Sequence, residues 1–288
     1  MILITGAGGK TGKAVIKALA AKGEAVRAFV HRSEQASAVQ VLGVRDVAVG
    51  DFHDGGAIRK AMEGARAIYH ICPNVNPDEV AIGRNAITVA QATGTEHFVY
   101  HSVLHPQAEA MPHHWNKLRV EEMLFESGLP FTILQPTTYM QNILAGWQSI
   151  FEDGVFRVPY PVETKLSLVD LEDVAEAAAA MLTEPGHAGA TYELVGTPVL
   201  TQIEVADVLS RNLGRPVRVE TESVEAWEER ARTSGMGDYQ RETLIQMFRY
   251  YKRHGLMGNS NVLGWLLRRP PTTFEAFVER MVRERSQA

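Results

Sequence analysis

A single cysteine, Cys72, stands among the 288 residues, so no intrachain disulfide can staple this chain and its stability must come from a packed core. Nor is there an apolar run near the roughly 20 residues that a membrane helix needs. The nearest approach, Ala175 to Leu182, is short and is interrupted by Glu172, Asp173 and Glu176, which makes it a packed surface helix. Excess positive charge is missing too. With 29 basic and 34 acidic residues the formal net charge is -5, which gives no general attraction to nucleic acid or to an anionic membrane. Internal repeats, heptads and low-complexity tracts are absent. No signal or transit segment precedes the first strand-like run, so a cytoplasmic location is expected. What remains, 45% hydrophobic and 22% charged, is ordinary globular composition, enough for one large or two unequal domains.

The most informative stretch is the start, Met1-Ile2-Leu3-Ile4-Thr5-Gly6-Ala7-Gly8-Gly9-Lys10-Thr11-Gly12. An apolar strand runs into glycines 6, 9 and 12, and Lys13 to Ala21 then reads as a helix whose buried face is Val15, Ile16 and Leu19. A pyrophosphate needs this order, because it sits against unpaired N–H groups at a helix N-terminus, where the helix dipole favours negative charge. Side chains at Gly6 or Gly9 would obstruct it, and Gly12 lets helix and strand close on each other. Gly9-Lys10-Thr11 imitates a nucleoside triphosphate loop, but that motif requires glycine where Ile4 stands.

Further along, strands are expected at Ala25 to Val30, Val44 to Val49, Ala67 to Ile71, His97 to Ser102 and Phe131 to Leu134. Helices are expected at Glu34 to Leu42, Gly56 to Met62, Asp78 to Thr93 and His113 to Glu126. The alternation argues an α/β Rossmann-type doubly wound parallel sheet over residues 1–150. Residues 151–288 read as a smaller α+β substrate or interaction region, parts of it packing back on the main sheet. Short strands are expected there at Val155 to Val158, Ser167 to Val169, Tyr192 to Val195 and Val217 to Glu220, with helices Asp173 to Leu182, Gln202 to Asn212 and Phe274 to Arg283. Gly235 to Asn261 follows no clear period and reads as a lid.

The second strand ends Val30-His31-Arg32-Ser33, without the carboxylate that would bind a ribose 2′-hydroxyl. Arg32 offers instead a fork suited to a 2′-phosphate, with Lys10 as a second cation. NADP(H) is therefore expected in preference to NAD(H). Asp51 and Phe52 fall where adenine would lie, and Cys72 and Pro73 beside the ribose; a small buried apolar role for Cys72 is the alternative.

Taken together, Thr5-Gly6-x-x-Gly9-x-x-Gly12, Val30-His31-Arg32, Gly50-Asp51-Phe52, Lys117 with Val120-Glu121, Ser127-Gly128-Leu129-Pro130 and Pro136 to Asn142 resemble the NmrA-like group of atypical short-chain dehydrogenases/reductases. That group includes NAD(P)H:quinone reductases and redox-sensing regulators. The resemblance implies that Gly6, Ala7, Gly8, Gly9, Lys10, Thr11, Gly12, Arg32, Asp51, Phe52, Cys72, Pro73, Lys117, Pro136 and Tyr139 contact the cofactor, with Arg84 as a phosphate-binding residue. It also places Ser102 at the usual catalytic serine. The group's wider superfamily pairs a tyrosine with a lysine four residues later, and no tyrosine here has lysine at that offset; His113 and Lys117 stand there.

Reduction of a plain ketone builds a localised alkoxide and demands a positioned acid, whereas a conjugated acceptor spreads the charge. The catalytic candidates are therefore Lys117 and Ser102 as charge stabilisers, with His113, His114 or water giving the proton. His113 and His114 also fit a plainer role as solvent-exposed residues at a helix start. Trp115, Tyr139, Met140 and Trp147 are either an apolar pocket or ordinary core. No metal is expected: His101 and His105 straddle a strand end and a loop, and no glutamate completes a zinc motif. The leading expectation is an NADPH-dependent oxidoreductase acting on a small conjugated acceptor such as a quinone, without membrane or nucleic-acid partners. The alternative is an NADP(H)-sensing regulator that signals to a protein partner; a homodimer stays open, and a sugar-nucleotide epimerase is disfavoured by the missing tyrosine. Lys117, expected at the rim of the site, should matter for activity far more than for folding.

Overall fold

Short apolar runs separated by glycine-bearing turns set the strands. In the computed structural model, which describes residues 1–287, the first half alternates regularly. The elements are β1 (Ile2–Ile4), α1 (Lys10–Ala21), β2 (Val26–Val30), α2 (Glu34–Gln40), β3 (Asp46–Val49), α3 (Gly55–Met62), β4 (Ala67–His70), α4 (Glu79–Thr93), β5 (His97–His101), α5 (Pro112–Glu126) and β6 (Phe131–Pro136). After them come β7 (Thr138–Tyr139), a 3-10 turn (Met140–Gly146), α6 (Trp147–Asp153), β8 (Val155–Val158), β9 (Leu168–Val169), α7 (Leu171–Thr183) and β10 (Ala190–Leu194). The chain ends with α8 (Gln202–Leu213), β11 (Arg218–Thr221), α9 (Val224–Thr233), α10 (Asp238–His254), α11 (Asn261–Leu267) and α12 (Phe274–Gln287).

Seven strands form one sheet in the order β10-β6-β5-β4-β1-β2-β3. β1 pairs in parallel with β2 and β4, Ile2 lying opposite Val26 on one side and Ala67 on the other. β5 runs parallel between β4 and β6, with Tyr100 opposite His70 and Ile133. From β1 the chain winds outward through β2 to β3, then returns past β1 to β4 and winds the other way. Right-handed crossovers therefore put α1 and α2 on one face and α3 to α5 on the other. The reversal between β1 and β4 is the switch point at which such sheets open a crevice beyond the carboxyl ends of the strands. The core under α3 to α5 is built from Leu3, Phe29, Ile68, Phe98, Tyr100 and Ile133 of the sheet and Ile58, Met62, Ile82, Ala86, Val120 and Leu124 of the helices, all buried. No helix among the described residues is long and apolar enough to cross a membrane.

The chain divides into two compact units. The sheet unit holds Met1–Glu109, His113–Pro136 and Val174–Tyr192; the second unit holds Ala110–Pro112, Thr137–Asp173 and the chain from Glu193 onward. The sheet unit is thus interrupted after β6 and resumes at Val174, within α7. In the second unit β8 pairs in parallel with β11, and β7 with β9. Leu166 bridges to Leu200 and Leu256. Thr201 and Glu204 close a capping box at the start of α8.

The region read as a lid, Gly235 to Asn261, is instead largely α10, a helix of 17 residues that buries Thr243, Ile245, Phe248 and Tyr251. Phe248 meets Trp227 of α9 edge to face, with ring centroids 4.7 Å apart. Helices α9 and α11 had no sequence expectation at all. Ser223 caps α9 through Ala226 N–H at 3.1 Å, a start signal that short polar surroundings concealed.

Candidate functional site

The glycine loop leaves β1 at Thr5, whose Oγ1 accepts from Ile71 N–H at 3.0 Å and lies 3.0 Å from His70 Nδ1. This pins the carboxyl ends of β1 and β4 side by side at the switch point. Gly6 takes φ +58°, and a Cβ there would meet Ile71 at 2.8 Å. At Gly12 a Cβ would come within 2.5 Å of Gly6 O and 2.7 Å of Ala7 Cα, so only glycine lets the first turn of α1 close on the loop. Gly9 precedes α1 as its N-cap without a side-chain cap, and among the described residues the N–H groups of Lys10, Thr11 and Gly12 have no backbone partner. Lys10 and Arg32 are exposed, and no charged or polar side chain among the described residues pairs with either. Gln35 is poised over Gly8, its Oε1 accepting from Arg32 N–H at 3.1 Å.

The remaining cofactor candidates are not all brought together. Asp51 is exposed at the end of β3, and its Oδ1 accepts from His53 N–H at 2.8 Å. Phe52 is buried in the core, edge-on to Phe29 and His70, and its carbonyl accepts from Asn85 Nδ2 at 2.8 Å, so its side chain packs and does not reach toward a ligand. Cys72 is buried and its thiol is pushed far up by burial and by Glu79, whereas Pro73 is exposed. Arg84 is exposed on α4. Pro136 is buried at the end of β6, while Tyr139 belongs to the second unit, on β7.

Lys117 projects from α5 onto the carboxyl end of β5. Its ammonium donates to Glu79 Oε1 at 3.0 Å and to His101 O at 3.1 Å, and it lies 5.4 Å above the Tyr100 ring. The same Glu79 oxygen accepts from Tyr100 Oη at 2.8 Å. Ammonium and carboxylate side chains are only 14% and 5% exposed, so this pair sits below the surface. Ser102, just past β5, donates a short hydrogen bond to Glu121 Oε1. Gln135 Nε2 donates to both Glu121 oxygens, at 2.9 and 3.0 Å. Burial pushes the Glu121 carboxyl above its usual range, against the pull of Ser102, Gln135 and Lys117.

The exposed reading of His113 and His114 fails. His114 is 1% exposed, its Nδ1 3.2 Å from His105 O, and the two rings meet edge to face at 4.4 Å. Burial holds His113 down to about 3 and His114 to about 4, and His113 Nδ1 is buried without a partner. At neutral pH both are uncharged, so neither holds a surplus proton for the site. No group of three metal-capable side chains occurs among the described residues.

Two carboxylates that the structure brings against these candidates escaped the sequence reading. Glu79 heads the buried stripe of α4, which runs Glu79, Ile82, Gly83, Ala86, Ile87. Glu121 sits on the stripe of α5 one turn after Lys117. A carboxylate on an otherwise apolar stripe was the available signal. A dinucleotide fits the residues present: the uncapped N-terminus of α1 can take a diphosphate, the glycine cradle has no room for Cβ atoms, and two unpaired cations stand at the loop and after β2.

A sequence profile of the NmrA-like family matches residues 1–278. The NAD(P)H azoreductase of Xenophilus azovorans is 30% identical over 284 residues, 97% of each chain. The crystal structure of an NADPH-dependent quinone oxidoreductase from Escherichia coli complexed with NADPH superposes with a TM-score of 0.86 at 28% identity, covering 98% of this chain and 100% of that one. The nitrogen metabolite repression protein nmrA of Emericella nidulans is 26% identical over 233 residues, 75% of this chain and 66% of its own.

Proposed function

The chain belongs to the NmrA-like family, and on that footing we propose that it is an NADPH-dependent oxidoreductase delivering hydride to a small conjugated acceptor such as a quinone. The observation that carries this reading is Lys117, an ammonium fixed at the carboxyl end of β5, on the same rim of the sheet as the uncapped glycine loop. Bound NADPH would supply the hydride. The N–H groups of residues 10–12 would hold its diphosphate, and Arg32 with Lys10 its 2′-phosphate.

Donor accounting narrows the acceptor. An ammonium has three N–H donors, and Glu79 and His101 take two of Lys117's. Ser102 has committed its proton to Glu121, Tyr100 has committed its own to Glu79, and His113 is neutral. One Lys117 N–H therefore faces developing charge, with water as the proton source. That suffices where a conjugated system spreads the charge, and is poor for a ketone.

Initial rates of NADPH oxidation with a panel of quinones, azo dyes and simple ketones test the proposal. Turnover confined to the conjugated acceptors is expected, and ketone reduction at equal rates would refute the donor argument. Arg32→Ala should weaken NADPH about 10- to 100-fold while leaving NADH binding nearly unchanged, since a bidentate charge-assisted contact is worth about 1.5–3 kcal/mol. Equal losses for both nucleotides would remove Arg32 from the 2′-phosphate. The shortage of acids also favours a second reading, a cofactor-sensing regulator. It gains the ground if NADPH binds tightly and no acceptor turns over.

A further inference from the structure

We propose that Glu79 is the positioning residue of this site: its buried carboxylate clamps Lys117 so that the lysine offers a ligand a single N–H in a fixed direction. This rests on the assignment of Lys117 to the reaction. The geometry behind it lies on three elements. Glu79 is the first residue of α4, where a helix N-terminus favours a carboxylate, and it is 4% exposed. One of its oxygens takes both Lys117 Nζ and Tyr100 Oη, and its charge helps to push up the thiol of the buried Cys72. One turn further on, α4 and α5 are drawn together at Gly83, where a Cβ would stand 2.6 Å from a Val120 methyl. Only that close approach lets a short glutamate on one helix reach a lysine on the other.

The ammonium and the carboxylate each answer the other's burial. The other titratable groups toward Lys117 do not compete for it. His70 and His101 from the sheet are neutral, held down to about 4 and about 3 by burial, as are His113 and His114 on its own helix. Glu121, one turn along α5, is occupied by Ser102 and Gln135. Glu79 is thus the one carboxylate bonded to the ammonium, and the direction of the last N–H follows from where Glu79 and His101 O hold the other two.

Cys72 reports on the clamp without any substrate. It is the chain's only cysteine, and after burial the Glu79 charge is the main influence raising its thiol, with Lys117 opposing. In the purified full-length protein, Glu79→Gln should speed alkylation of Cys72 by iodoacetamide about tenfold, because one unit of thiol pKa is a tenfold change in thiolate. Lys117→Met should slow it by a similar factor, which keeps the test alive if Glu79→Gln does not fold. Tyr100→Phe removes a donor without changing charge and should leave the rate within about twofold. Turnover of Glu79→Gln at saturating acceptor should fall about tenfold while the Kd for NADPH moves less than about threefold, separating orientation from binding. Identical Cys72 rates in wild type, Glu79→Gln and Lys117→Met would overturn the clamp. If the rates shift as expected but no acceptor is reduced by the wild type, the clamp stands and the oxidoreductase reading falls.

Discussion

The two units bury ionisable groups of different kinds. In the second unit, the buried carboxylates are hydrogen-bonded to arginine and to neighbouring donors. Asp173 accepts from Arg269 Nη2 at 2.8 Å, Thr272 N–H at 2.6 Å and Thr272 Oγ1 at 2.9 Å. Asp170 accepts from Gln141 at 2.7 Å, Glu172 N–H at 3.1 Å and Arg280 Nη2 at 2.6 Å. In the sheet unit, the groups gathered at the ends of β4 and β5 keep unused valences: His70 Nε2, His113 Nδ1 and one N–H of Lys117. Of the ten histidines only His254 falls in the second unit, so it is the sheet unit that depends on buried imidazoles.

That dependence gives the largest expected effect. His70, His101, His113 and His114 are held at about 4, 3, 3 and 4 by burial, whereas an unfolded imidazole titrates near about 6.5. A depressed imidazole contributes stability that is complete above the unfolded value and is lost as pH falls toward the folded one. Below about pH 6.5 each should remove up to about 1.4 kcal/mol per pH unit, together about 5 kcal/mol per unit. Against a typical native stability of about 5–15 kcal/mol, the sheet unit should unfold between about pH 5 and 4. Circular dichroism against pH measures the midpoint. A His70→Phe variant should move it to lower pH, and an unmoved midpoint would mean the imidazoles are hydrated after all.

The matching attack on the second unit is Asp173→Ala. It strips three hydrogen bonds from a side chain 1% exposed and should cost about 3 kcal/mol in chemical denaturation. The Kd for NADPH of the folded variant should stay within about twofold, because the lost bonds are structural. A large loss of affinity with little loss of stability would blur the distinction between the units.

How far each unit could be read from its sequence follows from the same contrast. Gly6, Gly9 and Gly12 with the alternating apolar runs are local signals, and the sheet order obeys rules of handedness, so the strands and most helices of the sheet unit were legible. In the second unit, strands of two residues such as Leu168–Val169 carry no period, and the basic and aromatic residues of α10 masked the spacing of Leu244, Ile245, Phe248 and Tyr251. Within the candidate site, Lys117 and Ser102 were singled out by position, but the carboxylates they bond were not. Glu79 and Lys117 are 38 residues apart, and the contact depends on the Gly83–Val120 approach, which no local pattern encodes.

Lys117→Ala falls next in size, and here the expectation from sequence needs correction. A lysine at an open rim would cost activity alone; this one is 14% exposed and is paired with a buried carboxylate. Its removal leaves Glu79 with Tyr100 as donor, so about 2 kcal/mol of stability should go along with the activity. Urea denaturation beside turnover of the same preparation checks both. Lost activity with unchanged stability would show that water takes over the role of the ammonium.

The smallest effect belongs to Glu121, which stands between the two patterns: buried and well bonded, yet without a cation. Burial raises its carboxyl above the value near about 4.3 expected in the unfolded chain. The native state therefore holds this proton more tightly, and the stability that protonation confers is full below about pH 4.3 and lost as pH rises through the higher folded value. Glu121→Gln escapes that loss, and its amide oxygen can still accept from Ser102 or Gln135. Measured by urea denaturation, the variant should gain stability relative to wild type at pH 8, the gain shrinking toward zero as pH falls into the carboxylate range. A variant that is less stable at pH 8 would mean that Ser102 and Gln135 return more to the ionised carboxylate than its desolvation costs, and that Glu121 belongs with Asp170 and Asp173 as a saturated structural charge.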